Sequence, residues 1–226
     1  MKQMILAVLL AAFPGQGDTT YNNPVNAPQN LNLAYEKPYY QYTDEVTYDD
    51  ILDEALFNCP NAKFENVDEQ LLLKLIKIEK SFNPPPEMRG MLLAAACMES
   101  GYNPNAKGDR KFSKTKKIPM AIGILQQWKI YEKMYPGMNR TNPESAATTW
   151  MQHIVAQLPK VKKQCRYKTQ KRNWLAAWVT GIRYKKAGGR CKEVPKHYRL
   201  LTRWHKNIKQ TKIEIKKCLA SDECGC

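Results

Sequence analysis

A chain of 226 residues, 43% of them hydrophobic, has enough apolar material for one sizeable core and a tail, so a wholly unfolded polymer is excluded. The formal charge of +15 is unevenly spread: residues 1–58 hold two lysines against eight acids, a net of −6, while residues 59–226 hold 34 bases against 13 acids, a net of +21. The basic part favours polyanions (nucleic acid, anionic lipid or anionic cell-wall polymer), and charge alone does not choose among them.

At the N-terminus Lys2 precedes the ten-residue apolar stretch "MILAVLLAAF", followed by "PGQGD". The stretch is too short to span a membrane and suits the apolar region of a secretory signal peptide at residues 1–17. Gly15 and Gly17 place cleavage before Asp18, with a poor match to the usual A-x-A site, and no cysteine follows to carry a lipid anchor. No later stretch is long and apolar enough for a membrane span. Residues 18–46, rich in Asn, Tyr, Pro and Gln and without period, read as a flexible arm. A single domain is expected over 47–218, followed by a cysteine-containing tail at 219–226.

Helical pattern begins at "YDDILDEALF" and strengthens in "NVDEQLLLKLIKIEKSF". "NPPPEM" ends one helix and starts the next, because proline is tolerated in a first turn. "EMRGMLLAAACMES" is apolar on nearly all sides and is expected to be central, with Gly101 as its C-terminal cap. Residues 102–127 carry turn residues and short apolar alternation, which predict a small irregular hairpin region. "TNPESAATTWMQHIVAQL" has an Asn142 cap and Pro143 at the first helical position. "RNWLAAWVTG" and "VPKHYRLLTRWHKNIKQTKIEIKKCL" are further helices. The fold class is therefore mainly α, with one small β element after a central helix.

Seven scattered cysteines, Cys59, Cys97, Cys165, Cys191, Cys218, Cys224 and Cys226, read as disulfides in an oxidising compartment. Zinc is disfavoured: there is no C-x-x-C pair, and His153, His197 and His205 do not stand at ligand spacing. No metal or other cofactor is expected. The cysteine count is odd, and Cys97, inside the apolar helix, is the expected unpaired, inert thiol.

That same helix carries the chemistry. Leu92, Ala95 or Ala96, and Glu99 fall at i, i+3/i+4 and i+7, so Glu99 shares a face with apolar side chains where helix gives way to loop. Such surroundings disfavour a charged carboxylate, and a carboxyl still protonated near neutral pH can act as a general acid. Cleavage of a glycosidic bond needs that kind of acid, to protonate the leaving oxygen. Taken alone, a helix-end glutamate is more readily explained by pairing with a lysine.

The surrounding residues add to this. "ESGYNPNA" at 99–106, followed by "AIGILQQ" at 121–127, resembles the soluble lytic transglycosylase family and the wider lysozyme-like fold, whose pattern runs E-S-x-F-x-P-x-A and then A-x-G-L-M-Q. Glu99, Ser100, Tyr102, Pro104 and Ala106 match the first motif, with Tyr for Phe. Ala121, Gly123, Ile124, Leu125 and Gln126 correspond to the second. "AWVTG" at Ala177–Gly181 is similar to a third, A-Y-N-A-G, in degraded form. The resemblance covers roughly residues 86–205. It implies a lysozyme-like α+β fold and Glu99 as catalytic acid/base. Ser100 and Gln126 would shape its surroundings, Tyr198 would lie close to the carboxyl, and the Trp178–Val179 segment would line the sugar cleft.

Two departures matter. Val179 stands where the family carries Asn, which removes an amide that could meet a glycan substituent and opens the prospect of a substrate lacking some N-acetyl groups. Asp109 is the nearest second acid; placed about 6.5–9.5 Å from Glu99 it would serve hydrolysis as a base, and otherwise reads as a turn residue after Gly108. Without such a base, the C6 hydroxyl of a muramic acid can attack and give a 1,6-anhydro product. Between Lys160 and Lys217 stand 20 bases and only two acids, Glu193 and Glu214, a surface suited to anionic wall polymers or simply to solvent.

The expectation is thus an exported monomeric muramidase acting on peptidoglycan glycan strands at β-1,4 bonds, with anionic wall polymers as further partners. The alternative is a wall-binding protein of the same fold whose site has decayed. A nucleic-acid-binding helical protein is disfavoured by the leader, the cysteines and the lack of any such motif.

Overall fold

The computed structural model describes residues 45–112, 118–183, 191 and 193–220. The leader read at residues 1–17 and residues 18–44 of the arm lie outside the described residues, as do Cys224 and Cys226. Helix α1 (Tyr48–Phe57) starts at a capping box: the Thr47 hydroxyl accepts from the Asp50 amide, and the Asp50 carboxylate accepts from the Thr47 amide. The arm ends earlier than its composition suggests. Val46 is buried and its carbonyl accepts from Arg89, while Arg89 pairs with Glu45 at 2.7 Å and Lys212 donates to the Glu45 carbonyl. Composition reports local backbone preference and is blind to cations supplied from elsewhere in the chain.

Helix α2 (Glu69–Ser81) is capped by Asp68 and buries Leu71, Leu72, Leu75 and Ile76 on one face. On that face Glu79 is also buried, and it determines how the next helix begins. The sequence pattern starts that helix near Glu87. Instead, Pro86–Met88 forms a single 3₁₀ turn, Gly90 adopts a left-handed φ of 87°, and α3 spans Met91–Ser100. The Glu79 carboxylate accepts from the Gly90 amide at 2.6 Å and the Leu92 amide at 2.7 Å, and the Tyr48 hydroxyl donates to it at 3.2 Å. The first turn of α3 is therefore capped from α2 rather than by a neighbour in sequence. Met91 to Cys97 are all buried, so α3 is central, as its all-round apolar pattern predicts.

Burial pushes the Glu79 carboxyl up from its ordinary 4.5 to about 7, against the opposing pull of the Leu92 and Gly90 amides and the Tyr48 hydroxyl. The folded protein then holds a proton that the unfolded chain releases. The resulting stabilisation is complete below about pH 4.5 and is lost as pH rises through 7. At 1.36 kcal/mol per pKa unit the change is about 3 kcal/mol. Urea unfolding of wild type and Glu79→Gln across this window isolates the group: the wild type should lose stability relative to the variant as pH rises. Parallel profiles would contradict the assignment.

After α3, β1 (Lys107–Gly108), β2 (Ala121–Ile122) and β3 (Gln127–Trp128) form an antiparallel sheet in that order, with Lys107 opposite Ile122 and Ala121 opposite Trp128. This is the hairpin region expected from the turn residues, extended by one strand. A short α4 (Ile130–Met134), not anticipated, leads to α5 (Pro143–Cys165). There the Asn142 side chain accepts from the Ser145 amide and Pro143 takes the first helical position, as read. Helices α6 (Gln170–Arg183) and α7 (Tyr198–Ala220) complete the described residues. The architecture is thus mainly helical, seven helices with one small three-stranded sheet among the described residues. Helix α3 packs against α1, α2 and α7, and α5 against α2 and α6. Trp174 is buried, and Trp150 meets Trp178 edge to face at 6.0 Å.

Cys97 is not the unpaired thiol. It is joined to Cys59, and Cys165 is joined to Cys191. An apolar helix shelters a disulfide sulfur as well as a thiol, so burial does not tell the two apart. The bridges fit an oxidising compartment. No helix among the described residues is long and apolar enough to cross a membrane.

Candidate functional site

The site is built at the C-terminal end of α3. Gly101 takes φ 59°, its amide donates to the Cys97 carbonyl and the Tyr102 amide to the Ala96 carbonyl, which closes the helix one residue after Ser100. A Cβ on Gly101 would run into the Asn61 carbonyl, so only glycine lets the loop after α1 approach this closely. The same loop is fixed by the Cys59–Cys97 bridge and by the Asn61 amide donating to the Met98 carbonyl at 3.0 Å. Glu99 is thereby held in the last turn of a helix anchored on that side.

The sheet region holds the other side. The Ser100 hydroxyl lies 2.7 Å from the Ile124 carbonyl and 3.1 Å from that of Ala96. The Gly123 amide donates to the Ala106 carbonyl at 2.9 Å, and the left-handed Gly123 leaves room for the Arg140 carbonyl. Gln126 donates its side-chain amide to the Gly123 carbonyl at 2.9 Å and lies over Gly108, where any Cβ would displace it. The segments 99–106 and 121–126, separate in sequence, are thus joined residue to residue around the end of α3.

Glu99 opens onto a pocket of about 240 Å³ that Val179, Glu193, Pro195, Lys196 and His197 also line. The His197 Nε2 lies 2.9 Å from Glu99 Oε1; the Glu99 side chain is 29% exposed and that of His197 10%. The imidazole stacks on the Trp178 ring, with centroids 6.3 Å apart and planes 18° from parallel. Leu92, Ala95 and Ala96 are buried beneath, and the carboxyl emerges into a pocket that both apolar residues, Val179, Val194 and Pro195, and ionisable ones, Glu193, Lys196 and His197, line.

Of the residues expected at the site, Glu99 and Val179 share this pocket. Ser100 and Gln126 are not among the residues that line it: the Ser100 hydroxyl donates to the Ile124 carbonyl and ties the sheet region to α3, while the Gln126 side-chain amide donates to the Gly123 carbonyl within that region. Trp178 is fully buried and reaches the pocket only through the His197 ring, so it offers no face to a sugar. Tyr198 lines a different groove, with Lys171, Thr202, Lys206 and Lys209, and the Lys171 ammonium lies 5.6 Å from its ring centroid. Asp109 is exposed at φ 56°, outside the pocket lining, and accepts from the Trp128 indole N–H at 2.9 Å. The turn-residue reading of Asp109 fits this placement.

Sequence reasoning missed His197 and Glu193. His197 immediately precedes Tyr198, and adjacent residues at a helix start point about 100° apart, so a one-position difference exchanges the side chain that meets Glu99. Glu193 is one of only two acids in the basic stretch 160–217, a visible anomaly in the charge pattern. In comparisons with protein-family models, with curated proteins and with solved structures, the chain matches none.

Proposed function

We propose that the protein is an exported muramidase of lysozyme-like fold that cleaves β-1,4 glycosidic bonds of peptidoglycan, with Glu99 as the acid/base. The observation that carries this reading is the placement of Glu99: a carboxyl on the end of a buried helix, opening onto a pocket, with the two motif segments hydrogen-bonded to one another beside it. Glu99 gives its proton to the leaving glycosidic oxygen as positive charge develops on the sugar. A C6 hydroxyl can then attack, returning a proton to Glu99 and forming a 1,6-anhydro end; alternatively water attacks with help from a second carboxylate. Glu193, which shares the pocket, is better placed for that second role than Asp109.

Asp109→Asn should therefore leave the cleavage rate close to wild type, since asparagine tolerates the left-handed backbone and keeps an oxygen for Trp128. Turbidity loss of a wall suspension measures this. A hundred-fold loss, on the order expected for a missing base, would restore Asp109 to the mechanism.

Val179 supports the finer reading. It is buried in the pocket lining where the resembling family has an amide. An acetamide beside it finds no hydrogen bond from this side chain, and desolvating a polar group without a partner costs about 1–3 kcal/mol. The enzyme is expected to cleave glycan lacking some N-acetyl groups at least as fast as fully acetylated glycan, and Val179→Asn to shift the preference toward acetylated wall. Rates on intact and enzymatically de-acetylated peptidoglycan provide the comparison. An equal, strong preference for acetylated wall in both proteins would remove position 179 from the account. The groove of Lys171, Lys206 and Lys209 supports anionic wall polymers as further partners.

A further inference from the structure

We propose that His197 is the positioning residue for Glu99: as a neutral imidazole protonated at Nε2, it donates to Glu99 Oε1 and so leaves Oε2 as the oxygen that carries the acid proton. The catalytic half of this statement rests on the reading of Glu99 as the acid; the protonation pattern of the ring does not.

Three arrangements satisfy the 2.9 Å contact. Nε2–H can donate to the carboxylate from a neutral ring. Nε2 can accept from a protonated Glu99, with the ring proton on Nδ1. Both nitrogens can be protonated. The surroundings of Nδ1 separate them. It is buried and has no hydrogen-bond partner among the described residues, and the same holds for Nε1 of Trp178, on which the ring stacks. The second and third arrangements both place an N–H on this buried, partnerless nitrogen. Buried N–H groups without an acceptor are rarer in proteins than acceptors short of a donor. The first arrangement alone leaves only a lone pair bare.

The consequence for chemistry is directional. In the second arrangement the Glu99 proton would point at the histidine and away from a substrate. With Nε2–H occupying Oε1, the proton of the acid form sits on Oε2. The stack on Trp178, itself packed edge-on against Trp150, fixes the ring plane and with it the carboxyl's rotation. Trp178 thus takes part in the site from behind, through His197.

The test begins with the whole protein labelled with ¹⁵N-histidine. It contains three histidines, and subtraction of the spectra of His197→Gln, His153→Gln and His205→Gln assigns each ring. Two-bond ¹H–¹⁵N correlation near neutral pH should show His197 protonated at Nε2 and bare at Nδ1. Protonation at Nδ1, alone or together with Nε2, would overturn the proposal. In peptidoglycan cleavage, His197→Leu should lose about 10²-fold in kcat with little change in KM. His197→Gln, which keeps an N–H donor, should recover at least ten-fold of that loss. Equal kcat for folded Leu and Gln variants, or wild-type kcat in the Leu variant, would contradict positioning by a donated hydrogen bond. Failure of the wild type to cleave any wall would refute the proposed function, while the ring's protonation pattern would still be read from the spectrum.

Discussion

Glu99→Gln should lose about 10²–10⁴-fold in peptidoglycan cleavage, the range of a general acid–base contribution, while unfolding at the wild-type temperature. Glutamine keeps the shape of the side chain and an oxygen able to accept from His197, but it has no proton to give a leaving glycosidic oxygen. The fold should not notice. Glu99 is partly exposed, and its one ion-pair partner among the described residues, His197, keeps its stack on Trp178. The helix end is held by Gly101, Ser100 and the Cys59–Cys97 bridge, none of which involves the Glu99 carboxyl. A folded Glu99→Gln protein that retained most of the activity would end the assignment of Glu99 as acid.

Cys59→Ala/Cys97→Ala should cost about 4 kcal/mol of stability, from the entropy that a bridge across this separation removes from the unfolded chain. The two cysteines are 38 residues apart and both are buried, so the bridge clamps the loop after α1 onto the middle of α3. That loop is the one whose Asn61 carbonyl packs on Gly101. Loosening it frees the end of α3 that carries Glu99, so activity should fall at temperatures below the unfolding midpoint as well. Urea unfolding of the double variant against the wild type gives the stability difference. Unchanged stability would mean that the loop is held by its other contacts alone.

Features that depend on neighbours in sequence were legible before the structure. The Asn142 cap follows from a side chain within three residues of the amide it meets. The all-round apolar pattern of α3 identified the central helix. Val179 was placed at the pocket by its position in "AWVTG", and the turn residues of 102–127 announced the sheet. What escaped depends on contacts between distant elements. Glu79 caps α3 from α2, a role that no local pattern carries, and it moves the helix start past Gly90. The partner of Cys97 lies 38 residues away, and spacing alone does not decide connectivity. Trp178 reads as cleft lining from its place in "AWVTG", yet its helix turns it inward beneath His197. Asp109 and Glu193 are alike as letters; only the fold sets one against the Trp128 indole and the other in the pocket with Glu99.

The most direct test is to digest purified peptidoglycan with the wild-type protein and identify the released fragments by mass spectrometry. Disaccharide–peptide fragments ending at muramic acid, with either a reducing or a 1,6-anhydro terminus, are the expected result, and they should be absent from the Glu99→Gln digest. Release of no glycan fragments from acetylated or de-acetylated wall by the folded wild-type protein, or release of fragments cut only in the peptide stems, would contradict the account.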